Sequence, residues 1–279
     1  MSQRKATVAE EVHFSGIGVH SGAKVELSVM PSNSGKIAFC LAHRDHATIR
    51  PDPQHMEAMF GSILRQGENR VLTVEHLMAT LFALGVDSVD IVLNGDEVPI
   101  LDGSALPFAE AIQKCGIRPL NTEKPFLKIL KSFVVQEGDI SVSAEPDDLF
   151  RISYTIDYAH PAIGTQNLEL VVNTESFITE IAPARTFGFL KDVAAMRAQG
   201  LSLGGSLSNA VVLDEKGIIN GPLRYEDEFV RHKILDFIGD LSILGYPLKG
   251  SFRAHKAGHS AHLKAIQFLL DNPAHYCIQ

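Results

Sequence analysis

Apolar and polar residues alternate along the first stretch of the chain. KVELSV (24–29) has the period of two that marks a strand, and it follows a glycine-rich turn, SGIGVHSG (15–22). PSNSGKIAFCL (31–41) reads as turn, then strand. The pattern changes at TVEHLMATLFALG (73–85), which is apolar almost all round at helical spacing, as expected of a helix buried on most sides. VDSVDIVLNG (86–95) returns to a strand. LPFAEAIQKCG (106–116) predicts a helix that Gly116 ends. NTEKP (121–125) is polar, short and closed by proline, which predicts a linker.

A second series begins beyond it. FLKILKSFVVQEG (126–138) and DISVSAE (139–145) read as a hairpin pair. FRISYTIDYAHP (150–161) and QNLELVVN (166–173) follow as strands. APARTFGFLKDVAAMRAQG (182–200) predicts a helix, and the Gly/Ser-rich GLSLGGSLSNAVVLDEKGIIN (200–220) becomes strand-like. EFVRHKILDFIGDLSILG (228–245) is a long apolar helix. GSFRAHKAGHS (250–260) reads as a strand leading to a loop, and AHLKAIQFLLD (261–271) as a closing helix.

The two series resemble each other. EHLMATLFALG (75–85) aligns with LDFIGDLSILG (235–245); both predict buried helices ending in leucine-glycine before a short strand. In that register His76 falls opposite Asp236 and Thr80 opposite Asp240. The pattern predicts a duplication whose related domains bring polar helix positions face to face.

Those polar positions carry the candidate chemistry. His232, Asp236 and Asp240 are spaced four apart and share a helix face. A solvated polar side would account for them, but Leu235, Gly239 and Ile243 flank the stripe. A structural His–Asp hydrogen bond would account for the pair as well. Glu75 and His76 open another buried helix. With Thr73 as N-cap, Glu75 would sit in a first turn that favours a carboxylate, but a protonated His76 is disfavoured there. His76, His232 and Asp236 together offer two imidazoles and a carboxylate, the open ligand set of a catalytic zinc. Such an ion acidifies its water and polarises a carbonyl. Glu75 beside it could take a proton, although HExxH itself is absent. In HKAGHSAH (255–262), Lys256 and Gly258 argue against a shared helical face for His255 and His259, and a single general acid fits better than a second metal site. HRDH (43–46) reads as a solvated loop.

Composition limits the alternatives. The chain has 279 residues, 45% hydrophobic and 21% charged, with a formal net charge of −8. That acidic total disfavours nucleic acid as a partner. Three distant cysteines without a CxxC point to a reducing compartment rather than a disulfide framework. Neither a signal-peptide run nor about 18 consecutive apolar residues is found, so the expectation is a cytoplasmic protein without a membrane span.

TVEHLMATLFALGVD, PILDGSALPF, TIDYAHPAIG, ARTFGFLKD, GLSLGGSLSNAVV, YEDEFVRHKILDFIGDL and HKAGHS run in order along nearly the whole chain. Together they resemble the UDP-3-O-acyl-N-acetylglucosamine deacetylases, zinc enzymes of the committed step of lipid A synthesis in Gram-negative bacteria. The resemblance implies an α+β fold of two related domains, about 1–121 and 125–279, each a sheet layered on helices, with the active site between them. It implies a small βαβ insert near 181–213 that forms a passage for the acyl chain. It assigns one catalytic zinc to His76, His232 and Asp236, ligands that also suit iron(II). Glu75 becomes the general base, His259 the general acid, Thr186 an oxyanion donor and Lys233 a substrate contact. Asp240 becomes the partner that orients His259.

Phe187, Phe189, Leu190, Val193, Ala210 and Val212 are the candidate passage residues, although packing of a small βαβ unit would explain each. Gly205 would let the backbone approach substrate. Asp157, Tyr158 and His160 are candidates for the uridine diphosphate site. The resemblance further implies a UDP-acyl-amino-sugar substrate and a monomer. Gly61-Ser62 stands where family members carry Thr-Cys, and Glu145 where a basic residue is expected. Both departures are expected to alter nucleotide and sugar contacts and to leave the metal centre untouched. The rival readings are a zinc amidohydrolase acting on a non-lipid substrate and a nucleotide-sugar-binding module without catalysis.

Overall fold

A computed structural model describes residues 4–279; residues 1–3, with which the expected first domain begins, lie outside the described part. The chain opens with β1 (Arg4–Val8), β2 (Val12–Ile17), β3 (Lys24–Pro31), β4 (Ile37–Leu41) and β5 (Ala47–Ile49). A small antiparallel sheet of β6 (Met56–Ala58), β7 (Ser62–Gln66) and β8 (Asn69–Leu72) comes next. Helix α1 (Glu75–Ala83), β9 (Val89–Leu93), α2 (Leu106–Cys115) and β10 (Ile117–Glu123) complete the first half.

The second half starts with β11 (Leu127–Ile129), β12 (Phe133–Glu137), β13 (Ile140–Glu145), β14 (Phe150–Tyr158) and β15 (Gly164–Val171). A short α3 (Thr174–Ser176) leads to β16 (Phe187–Phe189), α4 (Leu190–Ala198) and β17 (Val211–Leu213), a parallel βαβ unit. Then come α5 (Glu228–Ser242), β18 (Leu248–His255), α6 (His259–Asp271) and β19 (Tyr276–Ile278).

The halves repeat one topology. The first sheet has the order β2-β3-β9-β4-β5, and only the β4–β9 pair is parallel. The second repeats it as β12-β13-β18-β14-β15, with only β14–β18 parallel among these pairs. A helix precedes the central strand and another follows it in both halves: α1 and α2 in the first, α5 and α6 in the second. Each half also carries its extra element at the same point, between the fourth strand and the first helix. In the first half this is the β6–β8 sheet; in the second it is the βαβ unit. The fold is α+β, as the resemblance implied.

The two first helices meet. α1 packs directly on α5, while α5 covers β14 and β15. A Cβ placed on Gly239 would lie 2.3 Å from the Glu75 carbonyl oxygen, so the backbones touch where the helices cross. Only glycine permits that approach.

Local departures from the sequence reading have clear causes. Ser15, Gly16 and Ile17 belong to β2, and the turn begins only at Gly18. The expected linker is largely strand: β10 runs to Glu123 and pairs antiparallel with β1, leaving Lys124, Pro125 and Phe126 as the crossing. Its pattern looks polar because Leu120 alone is buried. The predicted helix over 182–200 is confined to 190–198. Pro183 lacks a donor, and Phe187–Phe189 pair instead with Val211–Leu213. α6 starts at His259, two residues before the predicted start, and β19 follows it on the edge of β11.

Candidate metal centre and active-site cavity

The crossing of α1 and α5 brings His76 and Asp236 together. His76 Nε2 lies 3.8 Å from Asp236 Oδ1, and His232 Nε2 lies 3.4 Å from the same oxygen. The two imidazoles meet edge to face, with ring centroids 5.0 Å apart. All three side chains are buried. Four residues along α5, one turn, put His232 beside Asp236, while α1 supplies His76 from the other half.

The donors fit a divalent cation. The Ala184 carbonyl lies 3.1 Å from His232 Nδ1, so Nδ1–H donates to it and Nε2 presents its lone pair. That lone pair faces a carboxylate oxygen at 3.4 Å, an unfavourable encounter that a cation between the two would reverse. His76 Nδ1 is buried without a hydrogen-bond partner among the described residues. Burial, and then the neighbouring His232, push His76 down to about 3, which leaves a neutral imidazole suited to ligation. Burial likewise lowers His232. Burial alone would raise Asp236, but the Lys233 ammonium together with the neighbouring His232, His259 and His76 holds the carboxyl well below the usual range. Ligands at about 2.0–2.1 Å in a tetrahedron stand about 3.3 Å apart, close to the spacing here.

Two groups flank this cluster. Glu75 is buried, and burial pushes its carboxyl up to about 7. The Ser62 N–H donates to Glu75 Oε2 at 3.0 Å, and a Cβ on Gly61 would come within 2.9 Å of Oε1. Thr73 does not cap α1: it takes φ 58°, and its hydroxyl donates to Glu97 at 3.1 Å. On the other flank, His259 Nε2 lies 3.7 Å from Asp236 Oδ2. Burial opposes a charge on His259, but Asp240 and Asp236 hold its imidazolium up to about 9. Its Nδ1 donates to Asp240 Oδ2 at 2.7 Å. Lys233 donates to Asp236 Oδ2 at 2.7 Å, and against the pull of burial that carboxylate keeps the ammonium above its ordinary value.

These side chains line one end of a cavity of about 1040 Å³. Glu75, His76, His232, Lys233, Asp236, His259 and Thr186 all reach it, and Asp240 stands behind His259. The βαβ unit forms much of the remaining wall. Phe187, Phe189, Leu190, Val193, Gly205, Ala210 and Val212 line it, together with Tyr158. Asp157 and His160 do not. Asp157 pairs with Lys256 at 2.8 Å, and His160 Nε2–H donates to the Asp214 carbonyl at 2.7 Å. Glu145 is also outside the cavity, exposed on β13 beside Arg253.

Sequence reasoning misplaced Ser62, left His262 of the HKAGHSAH cluster without a role and missed Tyr154. Ser62 was expected among the nucleotide and sugar contacts. Its amide instead holds Glu75, and its hydroxyl donates to Asp240 Oδ1 and lies 3.1 Å from His259 Nδ1. The departure at Gly61-Ser62 therefore sits inside the metal centre's surroundings. His262 is fully buried and donates from Nδ1 to Asp240 Oδ2 at 2.7 Å. Behind it stands Tyr154, its hydroxyl 3.0 Å from His262 Nε2. The spacing of three between His259 and His262 would have revealed the first of these, had α6 been read from its true start.

Comparison with known proteins agrees with this geometry. The profile of the family described as UDP-3-O-acyl N-acetylglycosamine deacetylase matches residues 5–271. A UDP-3-O-acyl-N-acetylglucosamine deacetylase of Thermodesulfovibrio yellowstonii is 41% identical over 266 residues, 95% of this chain and 91% of the relative. Proteins of the same name from Acidithiobacillus ferrooxidans and Myxococcus xanthus are both 42% identical. Those alignments cover 96% and 99% of this chain and 90% and 89% of the relatives. The match spans both halves of the duplication, the βαβ unit and every residue of the cluster, and the chain belongs to the UDP-3-O-acyl N-acetylglycosamine deacetylase family.

Proposed function

We propose that this chain hydrolyses the 2-acetamido group of UDP-3-O-((R)-3-hydroxyacyl)-N-acetylglucosamine to the free amine and acetate, the committed step of lipid A biosynthesis. One observation carries the proposal: a His–His–Asp ligand set lies between a carboxyl and an imidazole, at the end of a largely apolar cavity. In this proposal residues 1–121 and 125–279 are the two domains, and the site lies where α1 and α5 join them. The enzyme acts as a monomer in the cytoplasm.

His76, His232 and Asp236 hold one zinc ion, which when bound polarises the acetamide carbonyl and acidifies water. Glu75 removes the proton of the attacking water at its carboxylate; the Ser62 N–H keeps that carboxylate aimed. The Thr186 hydroxyl donates to the developing oxyanion. Lys233, already charged against Asp236, contacts the substrate beside it. His259 carries its proton on Nε2 to the departing nitrogen while Asp240 holds Nδ1. The apolar wall from Phe187 to Val212 receives the acyl chain. Tyr158 lies within reach of the sugar nucleotide; Asp157 and His160 act on it only from beyond the cavity wall.

The test is acetate release from UDP-3-O-(3-hydroxyacyl)-N-acetylglucosamine, with chelator and with zinc or iron(II) added back. Activity that disappears with chelation and returns with zinc is expected. No acetate from zinc-replete protein would overturn the proposal.

A further inference from the structure

Asp240 is fully buried, and both its oxygens are engaged by three side chains from two elements. Ser62 of β7 donates its hydroxyl to Oδ1. His259 and His262, one turn apart on α6, each place Nδ1 2.7 Å from Oδ2. Resting on the deacetylase reading above, we propose that His262 is a positioning residue of the reaction: with Tyr154 behind it and Ser62 opposite, it fixes the Asp240 carboxylate and thereby the direction of His259 Nε2.

The chemistry of each atom supports this. Asp240 is ionised: burial alone would raise it, but His259 and the two ring N–H donors hold it at about 2. A neutral imidazole beside an ionised carboxylate must turn its N–H toward it, so His262 is the Nδ1–H tautomer. Burial lowers His262, which keeps it neutral and leaves Nε2 an acceptor. The Tyr154 hydroxyl serves that acceptor at 3.0 Å and the Ala257 carbonyl at 2.8 Å, sharing one proton between them. Phe237 packs along the His262 ring, with centroids 4.5 Å apart, and blocks rotation.

Ser62, Tyr154, Asp240 and His262 are all buried, and the carboxylate is over-determined. A carboxylate held by His259 alone could swing about its χ angles and take the imidazole with it. With Ser62 and His262 in place it has one orientation. His262 touches no ligand of the metal and does not line the cavity. Its effect must therefore pass through Asp240.

The experiment compares full-length, zinc-loaded wild type with His262→Leu, His262→Asn and Tyr154→Phe, by downfield proton NMR and by kinetics. Wild type should show two strongly deshielded ring N–H protons, from His259 and His262. His262→Leu should remove one and shift or broaden that of His259, and kcat should fall about 10–100-fold with KM and zinc content unchanged. Asn presents a side-chain N–H in place of Nδ1–H, so His262→Asn should restore both the His259 signal and most of kcat. Tyr154→Phe should show a smaller fall of the same kind. An unmoved His259 resonance in a folded His262→Leu protein would overturn the proposal. The NMR comparison needs no substrate. Absence of acetate release by wild type would thus count against the deacetylase reading, while the resonances still decide the role of His262.

Discussion

α1 and α5 occupy equivalent places in the two halves, and their differences locate the chemistry. Both are buried helices that lead into the central strand of a sheet, five-stranded in the first half and seven-stranded in the second. At one pair of equivalent positions, His76 and Asp236, both helices contribute to the metal cluster. At the next pair they diverge. Thr80 of α1 turns its hydroxyl back to the His76 carbonyl at 2.9 Å, a bond wholly within its own helix. Asp240 of α5 gathers Ser62, His259 and His262 from outside. A repeated topology thus supplies a symmetric crossing, and single differences on it supply the asymmetry on which the proposed separation of base and acid rests.

Removing groups at the crossing should have the largest effects. Glu75→Ala and His259→Ala should each lower kcat by about 10²–10⁴-fold while the protein stays folded. His76→Ala should lose metal as well as activity, measured as ions bound per chain after dialysis. Wild-type turnover in either of the first two would contradict their roles, and undiminished metal in the third would remove His76 from the ligand set.

Gly239→Ala attacks the crossing without touching a reactive group. The new Cβ would lie 2.3 Å from the Glu75 carbonyl oxygen, so the helices must separate. Overpacking of this kind costs about 1–3 kcal/mol, partly offset by the helix preference of alanine, about 1 kcal/mol. Since Glu75 and His76 start at the contact, kcat should fall about 10–100-fold, because small misplacement is costly. Denaturant melts and acetate release would measure both. An unchanged kcat would mean that the site tolerates a looser crossing than the geometry indicates.

Much of this was legible beforehand because burial leaves a periodic trace. The two helices announced themselves as apolar runs, and histidine or aspartate within such runs cannot be ordinary surface. His76, His232 and Asp236 therefore stood out as a candidate group in the sequence, and the structure brings them together. The errors share a different origin. Ser62 is a small residue in a short strand, and nothing local reveals that its hydroxyl meets Asp240, 178 residues later. His262 was lost to a helix boundary two residues out of place. β10 looked like a linker because this strand of a two-stranded ribbon buries only Leu120, too little to leave an alternating pattern. Glycine at 239 was visible, but its reason lies in the partner helix.

Glu228 opens α5 and accepts from the Arg185 backbone and guanidinium and from the Arg224 N–H, tying the entrance of the βαβ unit to that helix. Among the described residues α1 has no equivalent: in its first turn the Glu75 carboxylate accepts only from the Ser62 N–H. Burial would raise the Glu228 carboxyl, but Arg185 outweighs it and holds it below its ordinary 4.5. The folded state thus favours the ionised form. Its contribution is complete above the unfolded value and fades as pH falls through the lower folded one. Glu228→Gln should cost about 2–3 kcal/mol at neutral pH, and the difference from wild type should shrink in acid below about pH 4.5. A difference independent of pH would mean that shape rather than charge holds this joint.

The smallest effect sharpens the comparison most. Thr80→Val keeps volume and removes only the hydroxyl bonded to the His76 carbonyl, which α1 already uses in its own ladder. The expected loss is at most about 1 kcal/mol, with kcat unchanged. Asp240→Asn at the equivalent place of α5 also keeps volume, but it replaces an acceptor oxygen with a donor among three donors. kcat should fall far more than stability. Equal responses at the two positions would mean that the asymmetry between the helices is structural and carries no catalytic role. A silent Thr80→Val beside a crippled Asp240→Asn would place the functional divergence of the two halves at one helix position.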